Sequence, residues 1–246
     1  DVLGSILALK IRLYGRDINS LLELGEIKDS RILLILKMQM NMGLSAYFCE
    51  PYLASYLALK IFKLTLKYGN SVYSPFAYVS YGAALCAIFK DYQTGYKFGR
   101  LALTANEQFG GPDMTAKVLL YFGGAINVWV HHMNQGMAYS RKAIKSALET
   151  GDLNYSLYHI QVVIFCNIAC GAPLDQIADE CDRYYEFVEQ SKDSGALNYL
   201  ISVRQWVKSL KGKTLHPQSL DDEVFKESEH IARMEQDDIK IILFRH

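Results

Sequence analysis

The feature that most constrains this chain is a spacing of 41 residues. From Gly95 a step of 41 reaches Gly136 and a second reaches Ile177, and one step back reaches Ala54. The same step joins Ala58, Gly99, Ser140 and Cys181, then Ile61, Ala102, Ala143 and Tyr184, and also Gly69, Gly110 and Gly151. Small residues at i, i+4 and i+7, with a glycine eight residues further on, describe a helix that packs closely and then stops. A fixed period of roughly 20–50 residues is the mark of stacked supersecondary units, because each unit can bury its apolar face only against its neighbours.

Helical signals fill the rest of the chain. No segment alternates apolar and polar residues over a useful length, and only 5 prolines occur, most of them where helices begin. The pattern predicts helices over 1–14, 18–24, 30–48, 51–68, 76–90, 92–109, 113–132, 135–150, 154–170, 174–191, 196–210 and 221–238. Asp17, then Asp29 or Ser30, and Ser74 with Pro75 at the first helical position, are the expected starts. Gly69-Asn70, Gly110-Gly111-Pro112, Gly151-Asp152 and Gly212 are the expected stops, Gly69 in the left-handed conformation open to glycine. Loops of two to six residues suit antiparallel neighbours. No linker rich in Gly, Ser or Pro divides the chain, so residues 1–246 are read as one all-α domain, an α-α superhelix of helix hairpins.

Composition excludes several classes. Lys+Arg and Asp+Glu are both 26, so no overall field draws the chain to nucleic acid or an anionic membrane. The longest apolar runs, 77–89 and 118–130, are too short to span a bilayer. The odd set Cys49, Cys86, Cys166, Cys170 and Cys181, without a CxxC pair, reads as buried thiols of a cytoplasmic protein. A first residue Asp1, and residues 239–246 that read as a helix cut in mid-course, lead to the expectation of a fragment of a longer multidomain protein.

Local signatures of chemistry are weak. Gly212-Lys213-Thr214 ends like a phosphate-binding loop, but Val207 stands where the first glycine belongs. His131 and His132 point about 100° apart on a helix, and His159 with Cys166 or Cys170 forms no metal-ligand spacing. Asp221-Asp222 and Asp237-Asp238 fall in a charge-rich stretch that reads as a solvated helix. No catalytic residue, metal or cofactor is assigned.

In each pair the second helix matches the small-residue positions of a tetratricopeptide repeat. Gly95 and Ala102 stand where that repeat keeps two alanines, and Gly82 and Gly123 where it keeps a glycine in the first helix. Gly69, Gly82, Gly95, Gly99, Ala102, Gly110, Gly123, Gly136, Ala143 and Gly151 are therefore read as structural repeat positions, small so that helices can cross closely. A period of 41 makes the array tetratricopeptide-like, with longer helices. Several words read together carry a closer resemblance. They are Leu66-Lys67-Tyr68-Gly69-Asn70; Ala77-Tyr78-Val79 with Tyr81-Gly82; Gly95-Tyr96 with Phe98-Gly99 and Leu101-Ala102; Trp129 with His132; and Ala147-Leu148-Glu149-Thr150-Gly151-Asp152 with Tyr155 and Tyr158. Over roughly residues 17–212 the chain resembles the helical-repeat region of bacterial multi-sensor signalling kinases. In those proteins a serine/threonine-kinase-like domain and an AAA/STAND-type ATPase precede the repeats, and a GAF domain and a histidine-kinase core follow.

The resemblance implies a non-catalytic module for protein interaction and signal coupling, bound to other domains of its own polypeptide or to a protein partner, with self-association through the last helix. In tetratricopeptide arrays the first helices line the concave face. If that holds here, Tyr78, Asn127, Trp129, His131, Tyr158 and Gln161 are the binding candidates on an apolar, aromatic groove. The alternative is a sensor that holds an apolar or aromatic small molecule in that groove, and an all-α enzyme stands third.

Overall fold

The computed structural model describes residues 2–236, apart from the side chains of Leu44 and Gln236. Among them the elements are α1 (Val2–Arg12), a 3-10 turn (Ile18–Glu23), α2 (Ser30–Cys49), α3 (Pro51–Tyr68), α4 (Ser74–Phe89), α5 (Tyr92–Gln108) and α6 (Pro112–Tyr121). A π-helical turn (Phe122–Ile126) and a 3-10 turn (Asn127–Trp129) follow, then α7 (Met133–Thr150), α8 (Leu153–Ala169), α9 (Leu174–Ser191), α10 (Ser194–Leu210) and α11 (Glu227–Gln236). The protein is all-α, as expected. Its only extended pairing among the described residues is one parallel bridge, Glu26 with Asn70. The chain divides into two compact units, up to Ser156 and from Leu157.

In the first unit, helices pack on their neighbours in sequence: α2 on α3, α3 on α4, α4 on α5, α6 on α7, with α1 on α3 and α4 also on α6. The hairpin α4–α5 shows why. A side chain at Gly82 would begin 2.7 Å from the carbonyl oxygen of Gly95, and one at Gly95 would begin 2.8 Å from that of Gly82. One period on, the same contact recurs: a Cβ at Gly136 would lie 2.7 Å from the Gly123 oxygen, and one at Gly123 would lie 3.1 Å from the Gly136 oxygen. Residues 41 apart thus make the same backbone-to-backbone crossing in successive hairpins. Ala102 and Ala143, also 41 apart, are both fully buried. Around the first crossing, Phe62, Tyr81 and Phe98 form an aromatic centre, with Tyr81 4.9 Å from each of the other two rings and Phe62 5.9 Å from Phe98.

Several expectations are corrected. The helix predicted over 113–132 leaves α geometry at Phe122. Gly123 is held against Gly136 and Gly124 has nothing within 4 Å of a would-be Cβ, so the backbone there widens into a π turn without displacing a side chain. Gly69 has φ +113 and ψ −172, positive but outside the left-handed helical region. Its place is set by a close approach instead, because a Cβ there would overlap the Gly25 carbonyl. That approach brings Asn70 N–H to Gly25 O at 2.8 Å and Ile27 N–H to Asn70 O at 2.8 Å.

Capping follows the sequence in most places. Asp17 and Asp29 each accept a backbone N–H in the first turn that they precede, as expected, and Asp91 does the same for α5. Ser74 lies inside α4 instead of capping it, and its hydroxyl accepts the N–H of Ser71 at 2.9 Å. Gly151, at φ +73, closes α7 in the left-handed form.

In the second unit, α9 packs on α10 over Ile177, Cys181, Val188, Tyr199, Leu200 and Val203, all buried. The helix expected over 221–238 begins only at Glu227. Residues 221–226 are occupied as a capping loop. The Asp222 carboxylate accepts the N–H groups of Val224 and Phe225 at 2.9 and 2.7 Å, and Asp221 accepts that of Glu227 at 2.7 Å. Residues 237–238 and 239–246, with the self-association expected of the last helix, lie outside the described residues.

Candidate interaction site

The residues read from sequence as one face are separated by the structure. Tyr78 is fully buried on α4 and edge-on to Phe62. Its hydroxyl donates to Asn70 Oδ1 at 2.6 Å and lies 3.2 Å from Leu21 O. Asn127 is also buried, at the break that follows the π turn. Both side chains are directed inward because α4 has core on every side and the π turn rotates the residues after Gly124. Tyr78 and Asn127 therefore do not line an exposed groove.

Trp129 and His131 come out on the surface of the first unit, each against α5. Trp129 is half exposed, stacks on Tyr92 with centroids 5.0 Å apart and planes at 14°, and donates its indole N–H to Ala125 O at 3.1 Å. His131 meets Tyr96 edge to face at 5.1 Å. Tyr158 and Gln161 are half-buried on α8 in the second unit, where the Gln161 carbonyl accepts from the Tyr199 hydroxyl at 3.4 Å.

Sequence reasoning missed the α5 side of this arrangement. Tyr92, Tyr96 and Arg100 recur every fourth residue, which places them on one helix face. Tyr96, Lys97 and Arg100 face residues 16–19 across a groove of about 450 Å³ that Arg16, Asp17 and Asn19 close from the other side. A second groove of about 340 Å³ lies between α1 and α3, lined by Ser5, Ala8, Leu9, Arg12, Tyr56, Lys60, Lys63, Leu64 and Lys67. Its signal in the sequence is an absence of acid: residues 2–16 and 51–90 contain no Asp or Glu.

The N-terminal helices also expose apolar surface. Leu34, Met38 and Met42, with Ile35 beside them, form a stripe along α2, and Tyr47, Phe48, Tyr52, Leu53 and Tyr56 continue exposed through its end into α3. Apolar patches of this extent generally mark contact surfaces, and methionine adapts to varied partners.

Three of the cysteines are buried. Burial pushes the Cys86 thiol up to about 11, with Asp91 adding to it, and the Cys181 thiol up to about 12; Cys166 is raised for the same reason. A thiol held protonated is a poor nucleophile. Among the described residues no three His, Cys, Asp or Glu side chains cluster as a metal would need, and no helix is long and apolar enough to cross a membrane. Gly212, at φ +66, ends α10 as a turn whose Lys213 N–H returns to Lys208 O at 2.9 Å. Asp222 anchors that loop: Lys208 and Gln205 donate to its carboxylate at 2.6 and 2.9 Å and hold it well below the usual carboxylate range.

No family model matches the chain, and no solved structure matches it. Over 196 residues, 79% of its length, it is 24% identical to the hybrid signal transduction histidine kinase G of Dictyostelium discoideum. The matched region is about 6% of that much longer protein. The chain is thus similar, at a distance, to a segment of a signal-transduction histidine kinase.

Proposed function

We propose that this chain is a non-catalytic interaction and signal-coupling module of a multidomain signalling kinase in the cytoplasm. The observation that carries the reading is the similarity to a hybrid histidine kinase over most of the chain. The recurring glycine crossings support it physically: a stack of like hairpins transmits displacement from one unit to the next through rigid helix contacts. The exposed apolar stripe on α2 and α3 supports a contact role. In this reading the whole chain, residues 1–246, acts as one tetratricopeptide-like array beside an ATPase of the AAA/STAND type and a serine/threonine-kinase-like domain. It binds those domains or a protein partner and biases their two-state switch.

The test uses the purified chain and separately expressed flanking regions of its complete polypeptide. The expected result is retention of one flanking region on immobilised chain, with no ATP hydrolysis and no phosphoryl transfer by the chain alone. Turnover by the isolated chain would overturn the non-catalytic reading, and failure of every flanking region to bind would overturn the coupling. In the sensor alternative Tyr78 would offer a ligand no free hydroxyl, because that group already donates to Asn70.

A further inference from the structure

The groove between α1 and α3 has a charge pattern that the fold itself does not use. Lys60, Lys63 and Lys67 project from α3 at intervals of three and four residues, and Arg12 faces them from α1. Like charges at these spacings repel one another on a helix surface. None of the four forms an ion pair with a carboxylate among the described residues. They use what neutral partners there are. Lys63 donates to Ser5 Oγ at 2.9 Å, and Arg12 donates to Leu66 O at 3.3 Å. Lys60 sits over the Tyr56 ring at 5.7 Å and Lys67 over the Tyr68 ring at 4.8 Å. In a chain of net charge zero, four unpaired cations on one groove are a local excess. The floor between them is apolar, with Ala8, Leu9 and Leu64.

We propose that this groove docks an acidic peptide segment of a protein partner, helical and carrying carboxylates at the same three- and four-residue intervals, with one apolar side chain on the Leu9–Leu64 floor. The three lysines span about 10 Å at the rise of an α-helix. A lone phosphate is too small to meet charges spread over that length, whereas a row of carboxylates in register meets each of them. A bilayer surface is flat and would reach only the rim of a concave site. Binding removes the mutual repulsion of the lysines, so charge complementarity selects the partner and speeds its arrival. The inference rests on the reading of the chain as an interaction module, and names the chemistry of one partner.

The experiment titrates the full chain with a synthetic, end-blocked helical peptide bearing glutamates at i, i+3 and i+7 and a leucine between them, followed by fluorescence anisotropy. Vesicles rich in phosphatidylserine and inorganic phosphate are titrated in parallel. Saturable peptide binding is expected, weakened about tenfold or more by the double reversal K63E/K67E and less by K60Q. Thermal melting of both variants is expected to match the parent, because these lysines form no ion pair among the described residues. The reversal K97E/R100E in the other basic groove is expected to leave peptide affinity unchanged. Equal loss in both double variants would show attraction to charge in general and overturn the proposal. So would unchanged affinity in K63E/K67E, or binding of vesicles or phosphate in place of the peptide. None of these failures bears on retention of the flanking regions, so the two readings fail separately.

Discussion

Asn70 shows how much one buried amide can decide. Its Nδ2 donates to Leu21 O at 2.9 Å and to Leu24 O at 3.2 Å, its Oδ1 accepts from Tyr78, and its backbone pairs with Gly25 and Ile27. One residue therefore closes the turn after α3, ties down the 3-10 turn at 18–23 and satisfies a buried tyrosine. Asn70→Ala removes the amide from Leu21 O and Leu24 O and leaves the Tyr78 hydroxyl only its longer contact with Leu21 O at 3.2 Å, and a loss of roughly 3 kcal/mol in urea unfolding is expected. Tyr78→Phe removes one donor only and should cost less, about 1–2 kcal/mol. The glycine crossings give a second prediction. Gly82→Ala and Gly136→Ala each force a methyl against a carbonyl oxygen 2.7 Å away, and about 2 kcal/mol or more should be lost. Gly124→Ala, with open space at its Cβ, is the control and should move the unfolding midpoint little.

Among the elements, α11 is expected to have an attachment that depends on pH. His230 is buried against α10, with Nε2 3.2 Å from Ser202 Oγ and its ring beside Phe225. Burial, with Arg233 adding to it, lowers its pKa below the ordinary 6.5. The folded state therefore prefers neutral imidazole. The stability this contributes is complete above 6.5 and is lost as pH falls through the lower folded value. Hydrogen-exchange protection of α11 should fall between neutral and mildly acidic pH, and His230→Gln should flatten that change. Asp222 acts in the same sense in a lower window. Its carboxylate is held down by Lys208, Gln205 and two backbone N–H groups, so its contribution is present above 3.8 and disappears only in stronger acid. Asp222→Asn should loosen the loop at 213–226 at neutral pH.

For the whole molecule, the question is what covers the apolar stripe of α2 and α3. Exposed Leu34, Met38 and Met42 predict that the isolated chain self-associates as its concentration rises. Sedimentation should show this association, and L34E/M38E should return the chain to monomer with its helix content intact. A flanking region that covers the stripe should suppress association in the parent chain by mass action.

How much of this was legible in the sequence differs from residue to residue. Periodicity, caps and glycine stops are local, so the helices and most of their ends could be read directly; the 41-residue step located both pairs of glycines that cross. The sequence alone determined that this is an all-α chain of neighbouring hairpins, because helix periodicity and close-packing residues are properties of short stretches. Tertiary structure decided which polar groups face inward and which cations meet. Tyr78 and Trp129 are both aromatic residues on apolar segments, yet one is core and the other surface, because the π turn at Phe122–Ile126 changes the register that the linear pattern implies. Arg12 and Lys63 belong to helices distant in sequence, and only the packing of α1 on α3 turns their separate charges into one groove.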